Sequence, residues 1–176
     1  MSHVSTRPVR APRALSWATL LAVVVALAAT LLGPASPASA VTKLTDAQAA
    51  SQLSAAGITR TSSGGCTNRN VSTCTSYEQI NQSTVSGIIT YKNASHCAVN
   101  ITGGTEVGHA SGTYSHYNGY KVDISRSTCN DSWITGHYAY IGLRGDGYPQ
   151  YQAASGNVYV NEGSHWDITY YSCGGC

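Results

Sequence analysis

The first half of the chain has the polar and apolar spacing of two helices. Thr45 and Gln48 form a capping-box pair that opens an alanine-rich segment, which Gly57 closes. Ser76 and Gln79 repeat that pair and predict a helix from residue 77 to about residue 91. The positions expected to face its core side are Ile80, Val85, Ile88 and Ile89.

After residue 97 the pattern changes from helical to strand-like. Alternating positions predict strands at 98–102 and 120–124, a helix at 130–140 and, after a turn at 144–151, a hairpin of 157–161 and 166–171. Helices followed by a mostly antiparallel sheet predict an α+β domain, with N-terminal helices packed on the sheet.

The N-terminal segment has the three parts of a secretory signal peptide. Three arginines and no acid precede residue 14, an apolar run follows from Leu20 to Leu32, and Ala38-Ser39-Ala40 ends the segment. This order predicts a leader of residues 1–40 that is cleaved after Ala40, and its alanine-rich composition favours a bacterial source. An uncleaved membrane anchor is the alternative, because the apolar run approaches spanning length.

Removal of residues 1–40 leaves 136 residues, which is enough for one domain with its own core. They carry seven basic and eight acidic side chains, a formal charge of −1. The absence of a basic stripe excludes an ordinary nucleic-acid binder, and no second apolar stretch is long enough to span a membrane. We therefore expect a secreted monomeric domain over 41–176, with a helix and disulfide loop at 41–75 and the functional core at 76–176.

All six cysteines lie after the predicted leader. An even number in an exported chain predicts up to three disulfides, and sequence separation favours Cys66 with Cys74, across the polar loop at 58–75. Cys173 and Cys176 have the spacing of a zinc knuckle or redox pair, but a second such pair is missing, which favours structural bridges.

Candidate metal ligands lie in the second half of the chain. Asp123 falls between two apolar residues of a predicted strand, His116 precedes it by seven residues, and Glu162 precedes His165 by three. Two imidazoles and a carboxylate are a ligand set that catalytic zinc uses, and a further carboxylate can serve as general base. His109 and Asp167 lie close to these positions in sequence.

The segment from Ile101 to Ile124 and the later Glu162-x-x-His165 resemble the two metal motifs of the zinc D-Ala-D-Ala carboxypeptidase superfamily. That group includes L-Ala-D-Glu peptidases and the hedgehog signalling domain. The resemblance implies a hedgehog-like α+β fold, zinc bound by His116, Asp123 and His165, and Glu162 as the base. It also implies a substrate in peptidoglycan or another peptide that contains D-amino acids.

The match departs from the family pattern at several positions. Tyr114 replaces the usual serine, with Ser115 just before the histidine, and Lys121 replaces a small alanine. Trp166 follows the last histidine instead of preceding it. The family's substrate-binding arginine is absent from the segment at 103–106, and Arg69 or Arg60 could substitute in space.

Other features of the sequence are weaker indications of function. Glu106 is the single acid in a stretch where hedgehog domains bind calcium with several acids, so we expect no calcium site. Arg144-Gly145-Asp146 spells an integrin tripeptide, for which chance is the better explanation, and Ser115 lacks the surrounding motif of a serine hydrolase. Twelve tyrosines and no phenylalanine fit either a cell-wall-binding face or a tyrosine-rich interior.

The sequence thus favours a secreted zinc peptidase that acts on cell-wall peptides. His109, Asp167, Arg69, Glu106 and Ser115 are the candidates for orienting the ligands or binding substrate. Two alternatives stay open: a zinc module that binds cell wall or a partner without cleaving it, and a disulfide-linked domain without metal.

Overall fold

The structure is a computed structural model that describes residues 41–171. Three helices lie within them, α1 (Asp46–Ala55), α2 (Gln82–Ser95) and α3 (Thr128–His137). The strands there are β1 (Lys43–Leu44), β2 (Thr59–Arg60), β3 (Ile80–Asn81), β4 (Asn100–Gly103), β5 (Lys121–Ser125), β6 (Ala139–Leu143), β7 (Pro149–Gln152), β8 (Val158–Asn161) and β9 (His165–Thr169). The predicted α+β class is confirmed.

Two expectations fall elsewhere in the chain. The leader predicted for residues 1–40 and any third disulfide, which would involve Cys173 and Cys176, lie outside the described residues. Between residues 41 and 171, none of the helices has the length and apolar character needed to cross a bilayer.

A mostly antiparallel sheet of seven strands forms the centre of the fold, in the order β2-β4-β5-β9-β8-β7-β6. Among the strands between residues 41 and 171, only β2 and β4 pair in parallel, and β1 and β3 form a separate two-stranded ladder. In the central pair, Asp123 of β5 lies directly opposite Asp167 of β9. Because side chains alternate along strands, the two carboxylates share one face.

The opposite face of the same strands holds the core. Val122 and Ile124 alternate with Asp123, Trp166 and Ile168 flank Asp167, and all four apolar residues are completely buried. The helices cover this face with fully or almost fully buried side chains that include Leu53, Val85, Ile88 and Ile134. The helices therefore leave the carboxylate face of β5 and β9 to the loops.

The first helix follows the sequence prediction. Thr45 Oγ1 accepts the Gln48 N–H, and the Gln48 side chain accepts the Thr45 N–H, which completes the capping box. Gly57 follows the helix with a φ of 72°.

The predicted start of the second helix at residue 77 is wrong. Ser76 Oγ accepts the N–H of Glu78 and not that of Gln79, whose φ of 65° is left-handed. The Gln79 N–H instead donates to Leu44 O, and β3 pairs with β1. The helix begins at Gln82 because the two residues before it, Ile80 and Asn81, pair with β1.

The predicted strand and helix boundaries shift elsewhere in the chain. The loop expected at 58–75 contains β2, and the helix expected at 130–140 spans 128–137, with Ser127 Oγ accepting the Asn130 N–H at its start. The strands β6 and β7 were not predicted. Most β6 side chains are exposed at the sheet edge, so they carry no apolar alternation.

Two disulfides are present among the described residues. Cys66–Cys74 closes the polar loop as predicted. Cys97–Cys129 joins the segment before β4 to the first turn of α3.

Candidate metal centre

The loop between β4 and β5 places His116 above the carboxylate face. Gly119 ends a turn in which its N–H donates to His116 O at 2.7 Å, and its own carbonyl accepts the Thr84 hydroxyl at 2.7 Å. Gly119 has a φ of 79°, and a Cβ there would lie 2.5 Å from Gln79 O. Glycine is therefore required at this position of the turn.

Gly103, the last residue of β4, makes room for Asp123. A Cβ on Gly103 would lie 2.3 Å from Asp123 Oδ2. The next carbonyl, that of Gly104, accepts the Nδ1–H of His116 at 2.7 Å. The same turn therefore accommodates the carboxylate and fixes the histidine ring.

The bond to Gly104 determines which His116 nitrogen faces the carboxylates. A carbonyl only accepts, so Nδ1 carries the proton and Nε2 points inward. Nε2 lies 3.2 Å from Asp123 Oδ1 and 3.6 Å from Asp167 Oδ1. A histidine whose outer nitrogen donates to a backbone carbonyl has the arrangement typical of metal-ligating imidazoles.

Both carboxylates have a buried oxygen without a hydrogen-bond donor. Asp123 is 5% and Asp167 is 4% exposed, and among the described residues neither Oδ1 atom has a hydrogen-bond partner. Burial of an unsatisfied carboxylate oxygen costs free energy unless a cation compensates for it.

The same cluster also contains Glu162, in the turn between β8 and β9, and His165, the first residue of β9. The Nε2 atom of His165 lies 3.6 Å from Asp123 Oδ1 and 3.2 Å from Glu162 Oε2. Its Nδ1 atom is 2.9 Å from Ser164 Oγ. Two histidine nitrogens thus converge on one carboxylate oxygen, that of Asp123.

His109 comes to the cluster from the loop above. Its ring stacks on that of His116 with 3.8 Å between centroids, and its Nδ1 lies 3.8 Å from Asp123 Oδ2. Its Nε2 lies 3.1 Å from Glu106 Oε1, and the same carboxylate accepts the N–H groups of Ser76 and Gly104. His109, His116 and Asp123 have ligand atoms within 4.8 Å of one another, so this group could hold a metal ion.

Two basic side chains also reach the carboxylates. Lys121 Nζ donates to Asp167 Oδ2 at 2.6 Å, and Arg144 Nη1 donates to the same oxygen at 3.0 Å. Arg144 Nη2 also donates to Glu162 Oε1. The long Lys121 side chain therefore runs along the face of the sheet to an acid.

Arg144 was missed as a site residue because its sequence was interpreted as a chance tripeptide. The arginine lies in the turn between β6 and β7, strands that the sequence did not predict, so nothing indicated that this turn reaches the site. Its approach to Glu162 and Asp167 depends on the order of strands in the sheet.

The other candidate residues from the sequence occupy supporting positions. Arg69 donates to Thr105 O and Tyr117 O, and Arg60 pairs with Asp46 at 2.7 Å. Ser115 Oγ accepts the Asn118 N–H within the histidine turn. None of the three lines the cavity beside Asp123, so neither Arg69 nor Arg60 substitutes there for the family's arginine.

The cavity beside the cluster has a volume of about 490 Å³. Its chemistry is set by three histidines, two basic residues and four acids, which leaves a formal charge of −2 with the histidines neutral. These residues are His109, His116, His165, Lys121, Arg144, Asp123, Asp146, Glu162 and Asp167. A divalent cation would balance that charge.

The electrostatics of the buried groups favour a positive charge on His116 itself. Burial opposes protonation of its imidazole, but Asp123 and Asp167 outweigh burial and raise its pKa to about 10. Burial also opposes ionisation of Asp167, yet His116 and Lys121 hold the pKa of that carboxyl well below its usual range. In metal-free protein a proton on His116 thus balances the two carboxylates.

No protein-family model matches the chain, and neither curated proteins nor solved structures contain a match.

Proposed function

We propose that the protein is a secreted zinc peptidase of the D-Ala-D-Ala carboxypeptidase and hedgehog type that hydrolyses peptide bonds in bacterial peptidoglycan. The observation that carries the proposal is the buried, unpartnered Oδ1 of Asp123, with imidazole nitrogens of His116 and His165 at 3.2 and 3.6 Å. Two ligands of a tetrahedral ion with bonds of about 2.0–2.1 Å lie roughly 3.3 Å apart, so the distance from each imidazole to this oxygen is compatible with a zinc site.

His165 is favoured over His109 as the third ligand. His165 and His116 approach the same oxygen of Asp123, whereas His109 approaches the other oxygen at 3.8 Å. His109 is also held by Glu106, which leaves it suited to hydrogen bonding with a substrate oxygen at the cavity wall.

In this proposal Glu162 is the general base. Its Oε2 lies 3.2 Å from the His165 nitrogen, and its Oε1 is fixed by Arg144. When bound, zinc would polarise the scissile carbonyl and lower the pKa of a bound water toward about 7. Glu162 accepts the proton of the attacking water and delivers it to the leaving amine.

A zinc module that binds without cleaving is the second candidate. The observation that favours it is the contact of Arg144 with Glu162, because the guanidinium occupies one oxygen of the carboxylate that would have to accept the proton of the water. The retained Glu162 and the open cavity beside it favour the peptidase.

The test combines metal content with turnover. The protein is purified without chelator, its zinc is quantified, and new amino groups are measured after incubation with peptidoglycan. Glu162→Gln is expected to keep about one zinc per chain and to lose at least about 100-fold in turnover. His165→Ala is expected to lose zinc, whereas His109→Ala is expected to keep it.

The outcomes separate the candidates. Zinc without new amino groups would favour the binding module. A zinc content below roughly a tenth of an ion per chain would contradict both metal proposals. Full activity of Glu162→Gln would show that another residue is the base.

A further inference from the structure

The guanidinium of Arg144 has three carboxylate partners that differ in exposure. Its Nη1 and Nη2 atoms bind the inner partners, Asp167 and Glu162, whose side chains are 6% and 23% exposed. Its Nε and Nη2 atoms bind Asp146 side-on, with Nε at 2.8 and 3.0 Å from the two oxygens and Nη2 at 2.6 Å from one of them. The Asp146 side chain is 49% exposed.

The inner contacts hold Arg144 in place without Asp146. Asp167 is nearly buried in the central sheet, and its Oδ2 also accepts from Lys121 at 2.6 Å. The guanidinium therefore keeps its orientation if the outer carboxylate leaves. A bidentate arginine edge is matched to a carboxylate in both geometry and charge.

The contact between Arg144 and Asp146 is the weak one. Asp146 lies two residues after Arg144 in a solvent-exposed turn, and its pairing is screened by water and salt. Both residues line the cavity of the metal centre. A ligand carboxylate entering this cavity could displace Asp146 without breaking a buried interaction.

We propose that the outer edge of Arg144 is a carboxylate-binding subsite, in which Asp146 holds the place of a ligand's carboxylate. The ligand class is a peptide with a free C-terminal carboxylate, an assignment that rests on the proposed function for its peptide nature. Arg144 Nη2 also binds Glu162, whose other oxygen faces His165. The subsite thus adjoins the general base, which favours cleavage close to the C-terminus of a chain.

The test compares one ligand with and without its negative charge. N-acetyl-D-alanine and N-acetyl-D-alaninamide are titrated calorimetrically into zinc-saturated protein and into metal-free protein. The unmodified protein is expected to prefer the carboxylate form. Arg144→Ala is expected to weaken binding of that form by about tenfold or more and to leave the amide unchanged.

Asp146→Asn distinguishes displacement from a merely structural role. Removal of the resident carboxylate frees the arginine edge, so this variant is expected to bind N-acetyl-D-alanine about three- to tenfold more tightly. Damage to the turn would instead weaken binding. Arg60→Ala removes an arginine from another ion pair, outside the cavity, and serves as the matched control with unchanged binding.

The inference is overturned if neither ligand binds, if both bind alike, or if Asp146→Asn fails to tighten the carboxylate form. Binding of the carboxylate to the metal alone would leave Arg144→Ala and Asp146→Asn both unchanged, which also overturns it. These readouts do not depend on hydrolysis. Peptide cleavage without carboxylate preference would refute the subsite alone, and preference without cleavage would refute the peptidase alone.

Discussion

The two faces of the central strands β5 and β9 are built from the same ladder but differ in how their buried atoms are satisfied. On one face, Val122, Ile124, Trp166 and Ile168 pack completely against the helices. On the other, Asp123 and its neighbours are almost as deeply buried, yet two carboxylate oxygens have no donor among the described residues. On the apolar face the protein itself satisfies the buried groups. On the polar face the buried carboxylate oxygens are satisfied only when a cation is present.

This difference separates stability from function within one pair of strands. Apolar burial stabilises the fold without the help of a bound proton or ion. Buried carboxylates lower stability unless a proton or a metal compensates for them. The histidines around Asp123 therefore indicate a site maintained for binding.

The largest expected effect is on the apolar face. Trp166→Ala should lower the free energy of unfolding by about 3–5 kcal/mol, because the indole is fully buried and leaves a cavity. Urea denaturation measures the change. Trp133→Ala, at a half-buried tryptophan, is the control and should cost less. An equal or larger cost at Trp133 would contradict the assignment of the core.

The second effect is a pH dependence of the free energy of unfolding, which arises on the polar face. The pKa of His116 is raised to about 10, so protonation stabilises metal-free protein fully below pH ~6.5, and this contribution is lost as the pH rises toward 10. Metal-free protein should therefore lose stability between pH 7 and 10, measured by urea denaturation at several pH values.

The control for this pH dependence is His116→Gln, which should show a flatter profile over that range because its side chain does not titrate. Zinc-saturated protein should also be flatter, since the ion takes the place of the proton. Equal slopes for the unmodified protein and the variant would refute the role of His116.

A smaller effect on stability is expected where α2 meets Tyr170, the residue that follows β9. A Cβ on Gly87 would lie 2.3 Å from a ring carbon of the buried Tyr170. Gly87→Ala should therefore cost about 1–3 kcal/mol through overpacking. Gly136→Ala in α3, with no atom within 4 Å of the new methyl, should instead be neutral or stabilising by up to about 1 kcal/mol. Thermal unfolding of both variants tests the pair, and a loss at Gly136 as large as at Gly87 would contradict it.

The apolar face could be predicted from the sequence because its signals are local. Alternation around Asp123 gave the strand and the buried character of Val122 and Ile124, and the Thr45 capping box gave the first helix. The second helix was misplaced because its start depends on a pairing between β1 and β3, which is a long-range contact. A local cap pattern does not show which residues will form hydrogen bonds with these backbone groups.

The polar face was predicted only in part, for the same reason. His116, Asp123, Glu162 and His165 were found from motif spacing, and the structure brings them together. Arg144 was missed because its place depends on the edge hairpin of β6 and β7, which pairs with β8 and brings its turn to Glu162 and Asp167. An exposed edge strand leaves little apolar pattern, so no local signal could place its turn in the site.

The smallest effect on stability is expected at the centre of the metal cluster. Asp123→Asn keeps the side-chain shape and removes a charge whose Oδ1 has no donor once His116 is neutral, so metal-free stability should change by less than about 1 kcal/mol near pH 10. The same variant should lose the stabilisation by zinc, which for the unmodified protein reaches about 2.7 kcal/mol at 100 times the dissociation constant. Thermal unfolding with and without zinc measures both quantities.

The control is Asp146→Asn. Asp146 lines the cavity without approaching a histidine nitrogen in the cluster, so this variant should keep the stabilisation by zinc. Retained zinc stabilisation in Asp123→Asn would show that the polar face does not need its central carboxylate to bind a cation.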